Sequence, residues 1–311
     1  MASAPEKNLS VLIKEKATDL GFDLCGIAPS RSLSEREGIL QKWCDAGMNA
    51  GMNYLARDTW KRINPEALVP GIKSLVVTGL SYYTGVKQKE AGVPILSRYV
   101  YGENYHDVIT RKLEKLLSFI NTIRPGTEGR IFVDSGPIME KAWAVEAGLG
   151  WQGKHSVVIN ENIGSFFFIG ILVLPLELDY DKPYAGEKCG DCRLCIELCP
   201  TGAINENHTI DARRCIANLT IENRGQIAQE LLPYLEGRIY GCDRCQEVCP
   251  WNKDVKPHSH PEFDLPEEIE KMTREEWLNL SEDNFVRLFK GSEIARKKYV
   301  PFMKNVTIVT K

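Results

Sequence analysis

No stretch of this sequence is long and apolar enough to cross a bilayer. The most apolar segment, 165–176, holds Phe166, Phe167, Phe168, Ile171, Leu172 and Val173. It falls short of the ~20 residues that a spanning helix needs and reads as a buried strand. A strong charge of one sign is missing too. The formal net charge of −3 argues against broad, nonspecific attraction to nucleic acid and leaves room for a local basic patch. Residues 1–10 contain neither an apolar run nor a small-residue cleavage site, so no export signal is expected. There is no G-x-S-x-G elbow, no Walker A loop and no H-x-x-x-H pair among the five histidines. The sequence signatures of α/β-hydrolases, P-loop enzymes and helix-borne zinc hydrolases are therefore absent.

Cysteine, by contrast, is abundant and unevenly spread. Of ten cysteines, eight crowd between Cys189 and Cys249. Such clustering without an export signal points to metal in a reducing cytoplasm, not to disulfides. Cys189, Cys192, Cys195 and Cys199-Pro200 reproduce the C-x2-C-x2-C-x3-C-P run of two-cluster ferredoxins. Three closely spaced thiolates reach one cubane, and the fourth, followed by proline, serves the neighbouring cluster. The second half of the pattern returns at Cys242, Cys245 and Cys249-Pro250, with Cys215 as the outlying thiolate. Two 4Fe–4S clusters are expected, one on Cys189, Cys192, Cys195 and Cys249 and the other on Cys199, Cys215, Cys242 and Cys245. A structural zinc site is the competing reading. It uses four thiolates where eight are offered and leaves the doubled C-x3-C-P ending unexplained. Cys25 and Cys44 stand apart and read as buried apolar residues.

The 311 residues exceed one average domain. The expected fold is α+β: a mixed α/β N-terminal domain over 1–180, a bacterial ferredoxin-like module over 181–256 and a helical extension over 257–311. Adjacent cubanes make an electron wire. A bare carrier would need only the cysteine segment, so the preceding ~180 residues, enough for their own core, point to an enzyme. Strands are expected at 22–28, 74–80, 131–133, 156–160 and 165–174. An amphipathic helix over 105–121 has Ile109, Leu113, Leu116, Leu117 and Ile120 on one face. A further helix is expected from Pro137, suited to a first turn, to about Ala147. Thr273 and Glu276 read as a capping box. His258 and His260 lie in a proline-rich linker and read as solvated. Gly148-Leu-Gly-Trp-Gln-Gly153 matches G-x-G-x-x-G, but a helix precedes it and a strand follows. That reverses the dinucleotide-binding order, and NAD binding is rejected.

The residues around the cysteines resemble the epoxyqueuosine reductase family. The similarity runs through Gly51-Met-Asn-Tyr-Leu55, residues 99–106, Asp134-Ser-Gly-Pro137, Ala147-Gly-Leu-Gly-Trp-Gln-Gly-Lys154 and Gly164-Ser165. It continues through Cys199-Pro-Thr-Gly-Ala203, Arg214-Cys-Ile216, Thr220-Ile-Glu222, Gly241-Cys-Asp-Arg-Cys-Gln246 and Val248-Cys-Pro-Trp-Asn252. The chain departs from the family pattern at Asn104 and His155, where aspartate and asparagine are usual, and near Ile171, where an acid is common.

The resemblance implies two-electron removal of the epoxide oxygen of epoxyqueuosine at the wobble position of tRNA. It implies a cobalamin in the N-terminal domain, base-off and without a protein histidine ligand, because no D-x-H-x-x-G motif is present. The expected cofactor face comprises Tyr105, His106, Gly150, Gly153, Lys154 and Ser165, the glycines allowing close backbone approach. Asp134 matches the family's proton donor. Its spacing equally suits a cap for a helix opening at Pro137. The implied partners are a tRNA anticodon stem-loop and an external one-electron donor such as flavodoxin or ferredoxin. The chain is expected to be a cytoplasmic monomer and a short form, without the C-terminal helical-repeat domain of many relatives. Arg213, Arg214, Arg296, Lys297 and Lys298 are candidates for gripping RNA phosphates, or form a solvated face. Two other functions stay open: a ferredoxin-type electron carrier, and a reductase like the corrinoid reductive dehalogenases.

Overall fold

The computed structural model describes residues 8–310. Most of the N-terminal segment read for an export signal, and Lys311, lie outside the described residues. The strands are β1 (Leu24–Pro29), β2 (Ser74–Ser81), β3 (Ile95–Leu96), β4 (Arg130–Phe132), β5 (Trp151–Gln152), β6 (Val158–Ile159), β7 (Phe167–Leu174) and β8 (Arg238–Tyr240). Four of them form a sheet in the order β1-β2-β7-β4, with every neighbour antiparallel. Every residue of β2 is buried, so this sheet is covered on both faces.

The first five helices are α1 (Leu9–Asp19), α2 (Ser34–Asp45), α3 (Thr59–Ile63), α4 (Tyr105–Ile123) and α5 (Glu140–Glu146). On one face, Ile13 and Ala17 of α1 and Ile109, Leu113 and Leu116 of α4 pack on Val76, Leu80, Leu172 and Leu174. On the other, Ala142, Trp143 and Ala144 of α5 join Ile63 of α3 against Leu75, Val77, Ile171 and Val173. The alternation of Leu75, Val76 and Val77 between the two cores is the period of two that a strand imposes. Asn104 starts α4 by accepting the His106 backbone N–H at 3.0 Å, leaving Tyr105 and His106 in the first turn.

One glycine of β1 is set by contact. A Cβ on Gly26 would lie 2.0 Å from the Ala147 carbonyl oxygen at the end of α5. Gly26→Ala is therefore expected to lower stability by about 1–3 kcal/mol through overpacking, measured as a fall in the urea midpoint.

The stretch after β4 departs from expectation. Pro137 does not open a helix; α5 begins three residues later, and its N-cap, Met139, makes no side-chain cap bond. Residues 133–139 form a loop folded over the Phe132 ring, against which a Cβ on Gly136 would clash at 2.3 Å. The expected strands at 131–133 and 156–160 are shorter or shifted, at β4 and β6.

The region after Pro257 is not a detached extension. Trp277, Phe285, Phe289, Ile294 and Phe302 share one core with Val93, Leu96, Val100, Ile239 and Tyr240. β3 pairs in parallel with β8, so this third core is built from three distant parts of the chain. The capping box is present, with the Glu276 carboxylate accepting the Thr273 N–H at 2.7 Å. His260 is not solvated. It is buried, with Nε2 3.0 Å from Asp23 Oδ2. Its contact with Asp23, just before β1, ties the linker to the main sheet. Among the described residues, no helix is long and apolar enough to cross a membrane.

Candidate active site and cluster module

The eight cysteines sort into two groups in space. Cys199, Cys215, Cys242 and Cys245 line one cavity. Burial pushes the Cys242 thiol up to about 12, with Cys215 adding to the effect. Cys245 is pushed far up by burial, then by Cys242, Cys215, Cys199 and Cys195. In the other group, burial raises Cys249 to about 11, and the neighbours that add repulsion are Cys189, Cys195 and Cys192. The first group is gathered on the wall of that cavity, and in the second Cys249 and Cys189 share an apolar cluster with Trp151 and Ile159. A cation at each group reverses this penalty, because a coordinating thiol is deprotonated outright. The Ala203 N–H, 3.3 Å from Cys199 Sγ, is a donor of the kind that tunes cluster potential. Short helices Leu194–Glu197 and Arg244–Glu247 carry Cys195 and Cys245, one in each half of the pattern.

The module is pinned to the strand domain by polar contacts, several of them buried. The Arg98 guanidinium lies 3.1 Å from Asp243 Oδ2 and 3.0 Å from Glu247 Oε1. The buried Ser165 hydroxyl accepts from Gln246 Nε2 at 3.1 Å and Asn252 Nδ2 at 2.9 Å. Lys154 Nζ donates to the carbonyls of Gly190 at 2.6 Å and Cys192 at 3.1 Å. Two residues expected at the cofactor face, Ser165 and Lys154, therefore act here as domain ties. The glycines also have a packing role. A Cβ on Gly150 would lie 2.0 Å from the Ile159 carbonyl oxygen, and one on Gly153 would meet the Ile159 side chain at 2.6 Å. None of these four lines the clefts described next.

Three adjoining cavities of about 580, 540 and 220 Å³ share Lys141 in their walls. The largest is lined by one cysteine group together with Trp43, Tyr82, Tyr99, His155 and Val157. The smallest contains Tyr105, Asp134 and Glu140. The third runs from Asp134 and Glu140 to Tyr54 and Arg62. A cleft thus leads from a cysteine group to the Asp134 loop.

Asp134 is held in the left-handed region at φ 55°, where an aspartate is tolerated at a cost. Its side chain is 67% exposed, and Oδ2 accepts the Tyr105 hydroxyl at 2.6 Å. It caps no helix, so the capping reading fails. Tyr105 stacks on Phe168 with centroids 4.3 Å apart. Burial, followed by the Asp134 charge, pushes its phenol far up, so the phenol stays neutral and donates. His106 stacks on Tyr105 at 4.1 Å, with Nε2 3.9 Å from Asp134 Oδ2 and Nδ1 3.4 Å from Glu293 Oε2. Three of the expected residues are therefore together: Tyr105, His106 and Asp134.

Sequence reasoning missed Glu140, Lys141, Tyr99 and Met139. Glu140 opens α5, and the loop between it and Asp134 has no regular period that would pair the two carboxyls from sequence.

Comparison with known proteins decides the family. Residues 188–252 match the profile of the 4Fe-4S double cluster binding domain, and residues 62–135 that of Epoxyqueuosine reductase QueG, DUF1730. The epoxyqueuosine reductase of Cellulophaga algicola is 40% identical over 297 residues, 96% of each chain. This chain belongs to the epoxyqueuosine reductase family. A solved epoxyqueuosine reductase bound to an epoxyqueuosine-modified tRNA-Tyr stem loop superposes with a TM-score of 0.90 at 28% identity, over 97% of this chain and 80% of that one. A Bacillus subtilis epoxyqueuosine reductase, solved with an aspartate-bearing catalytic loop swung out of its active site, superposes at 0.89 with 27% identity over the same shares. The double-cluster match selects iron–sulfur clusters over zinc for the cysteine groups. Family membership also sets aside the bare electron carrier and the dehalogenase-like reductase.

Proposed function

We propose that this chain reduces epoxyqueuosine in a tRNA anticodon stem-loop to queuosine, with Asp134 as general acid. The observation that carries this reading is the row of adjoining cavities, with Lys141 in every wall, from the Cys199 group to the Asp134–Tyr105 pair. The net reaction takes two electrons and two protons, replaces the epoxide by a C=C bond and releases water.

Asp134 delivers a proton to the oxygen as it leaves carbon. Tyr105 fixes the Asp134 carboxylate through its hydroxyl, and His106 packs behind Tyr105. Tyr99, Tyr105 and Phe168 form an aromatic wall on the cavity that Asp134 lines. The clusters, on the two groups of four cysteines given above, together with a bound cobalamin supply the two electrons.

The residues of the cleft fit a cobalamin. The largest cavity is mostly apolar, and its wall holds a buried polar atom, His155 Nε2, without a partner. His155 Nδ1 accepts the Val157 N–H at 3.2 Å. Burial and then Lys141 lower its pKa to about 4, so the ring is neutral with its hydrogen on Nε2. A ring in that state donates a hydrogen bond and does not ligate a metal, in keeping with base-off binding. His155 and Lys141 would hold the cofactor, with Tyr82, Tyr99 and Val157 along its apolar face. The proposed setting is a cytoplasmic monomer fed by an external one-electron carrier such as flavodoxin or ferredoxin.

The RNA side of the reading rests on α3 and on the outer cavity that Arg62 of α3 and Tyr54 line. Tyr54 and Trp60 are about half exposed. Arg62 lies 5.9 Å from the Tyr54 ring centroid and Lys61 lies 5.2 Å from that of Trp60. Exposed aromatics flanked by cations suit unstacked bases and their phosphates. Most of the basic residues proposed from sequence are already engaged. Arg213 bonds Asp211 at 2.8 Å, Arg214 donates to the Thr201 carbonyl, Arg296 pairs with Glu293, and Lys297 donates to the Ile221 carbonyl. Trp60→Ala is expected to weaken stem-loop binding by about 1–3 kcal/mol, the worth of one stacked base. Anisotropy titrations at several salt concentrations check this. Affinity should also fall steeply with salt if phosphates are contacted.

The test of the whole reading is mass spectrometry of nucleosides after incubating reconstituted, reduced protein with an epoxyqueuosine stem-loop. Formation of queuosine supports it. Unchanged epoxyqueuosine with both clusters and cobalamin loaded overturns it.

A further inference from the structure

We propose that Glu140 is a second proton carrier of this site, relaying a proton to the Asp134 carboxylate so that both protons of the reaction enter through one carboxyl pair. The inference rests on the function proposed above. Breaking both C–O bonds of an epoxide and forming a C=C bond consumes two electrons and two protons. One proton is needed as the ring opens and the other as the oxygen departs as water. The electrons come from the reductant of the established activity; the protons must come from the protein or from solvent. Asp134 Oδ2 is already an acceptor, taking the Tyr105 hydroxyl at 2.6 Å. An oxygen in that role needs to be loaded before it can give a proton away, and a single carboxyl holds at most one.

Glu140 is placed to do the loading. It shares the walls of two cavities with Asp134. Its Oε1 is shut off from solvent and has no hydrogen-bond partner, an arrangement that is costly for a carboxylate and mild for an acid. Burial, followed by the Asp134 charge, raises Glu140 to about 7, the range in which a proton carrier works best at neutral pH.

The charged and titratable groups facing it come from several elements. Asp134 stands on the loop, Lys141 on α5 itself, and Arg62 on α3. Tyr105 and His106 of α4 stand behind Asp134. The ordinary role of an acid in a first helical turn is to complement the helix dipole as an anion. A desolvated carboxyl with an orphaned oxygen does not serve that end.

Because a raised carboxyl is protonated below its pKa, turnover should fall as pH rises through about 7. The experiment uses the reconstituted, pre-reduced holoenzyme and an epoxyqueuosine stem-loop, with single-turnover rates across pH 5.5–9. Difference infrared spectra of the protein without RNA provide a second readout.

In Glu140→Gln the limb near pH 7 should vanish, and the rate at neutral pH should drop about 10²-fold, the low end of what a positioned acid contributes. Glu140→Asp, which keeps a carboxyl, should restore a limb. The parent should show a protonated-carboxyl C=O band titrating near pH 7 that Glu140→Gln lacks. A Glu140→Gln protein with the parent's rate and profile, or with the band intact, overturns this proposal alone. A parent that makes no queuosine overturns the functional reading and this proposal with it. If Glu140→Gln does not fold, the Glu140→Asp profile decides: a limb unmoved from the parent's overturns the proposal, and a displaced limb supports it.

Discussion

Asp134→Asn is expected to yield a folded protein with both clusters in place and a loss of about 10²–10⁴-fold in queuosine formation, the usual worth of a positioned acid. Asparagine keeps the size of aspartate and tolerates the left-handed backbone at φ 55°, so the loop should hold its path. It can still accept the Tyr105 hydroxyl through its amide oxygen. What it cannot do is receive and release a proton. Single-turnover assays with iron and cobalamin content measured on the same samples isolate that difference. Wild-type turnover in Asp134→Asn would move the acid elsewhere. Tyr105→Phe is the companion variant: it removes the donor that fixes Asp134 and should cost less than Asp134→Asn itself.

Cys215→Ala is expected to halve the iron from about eight to about four per chain, the count for one cubane lost of two, and to abolish turnover. Cys215 is the outlying thiolate and stands at the N-cap of the helix Ile216–Ile221. It belongs with the group that lines the large cavity, so the damaged cluster is the one nearest the cleft. The Cys189 group keeps all four thiols and should still show its reduced spectrum by electron paramagnetic resonance. Cys25→Ser serves as the control. Cys25 packs beside the main core, burial pushes its thiol up to about 12, and iron content should not change.

The parts of the molecule that were legible in the sequence are those whose signal is local. The eight cysteines announce themselves through spacing alone, and α4 through the period of its apolar residues. β2 and β7 appear as apolar runs because both sheet faces are covered. The Thr273–Glu276 box involves residues three positions apart. What escaped depends on contacts far along the chain. Lys154 and Ser165 stood out as special, yet their partners lie 36 to 87 residues away, and spacing says nothing about such ties. Pro137 fits the start of a helix by local preference. The packing of Gly136 on Phe132 sends the chain into a loop instead, and that loop is what frees Asp134 from capping. His260 looked solvated beside its prolines because its partner, Asp23, sits at the opposite end of the sequence.

The third core also limits how this protein can be taken apart. Ferredoxin-like modules are often pictured as cassettes that evolution cuts out and splices elsewhere. Here the strand of the cysteine region, β8, pairs with β3, a piece of chain that precedes the entire active-site sheet region from β4 onward. The helices after Pro257 close over both. Excising 181–256 would strip Ile239 and Tyr240 of their apolar neighbours and leave Trp277, Phe285 and Phe302 facing water. A gene fragment encoding either part alone would specify a chain whose third core is incomplete.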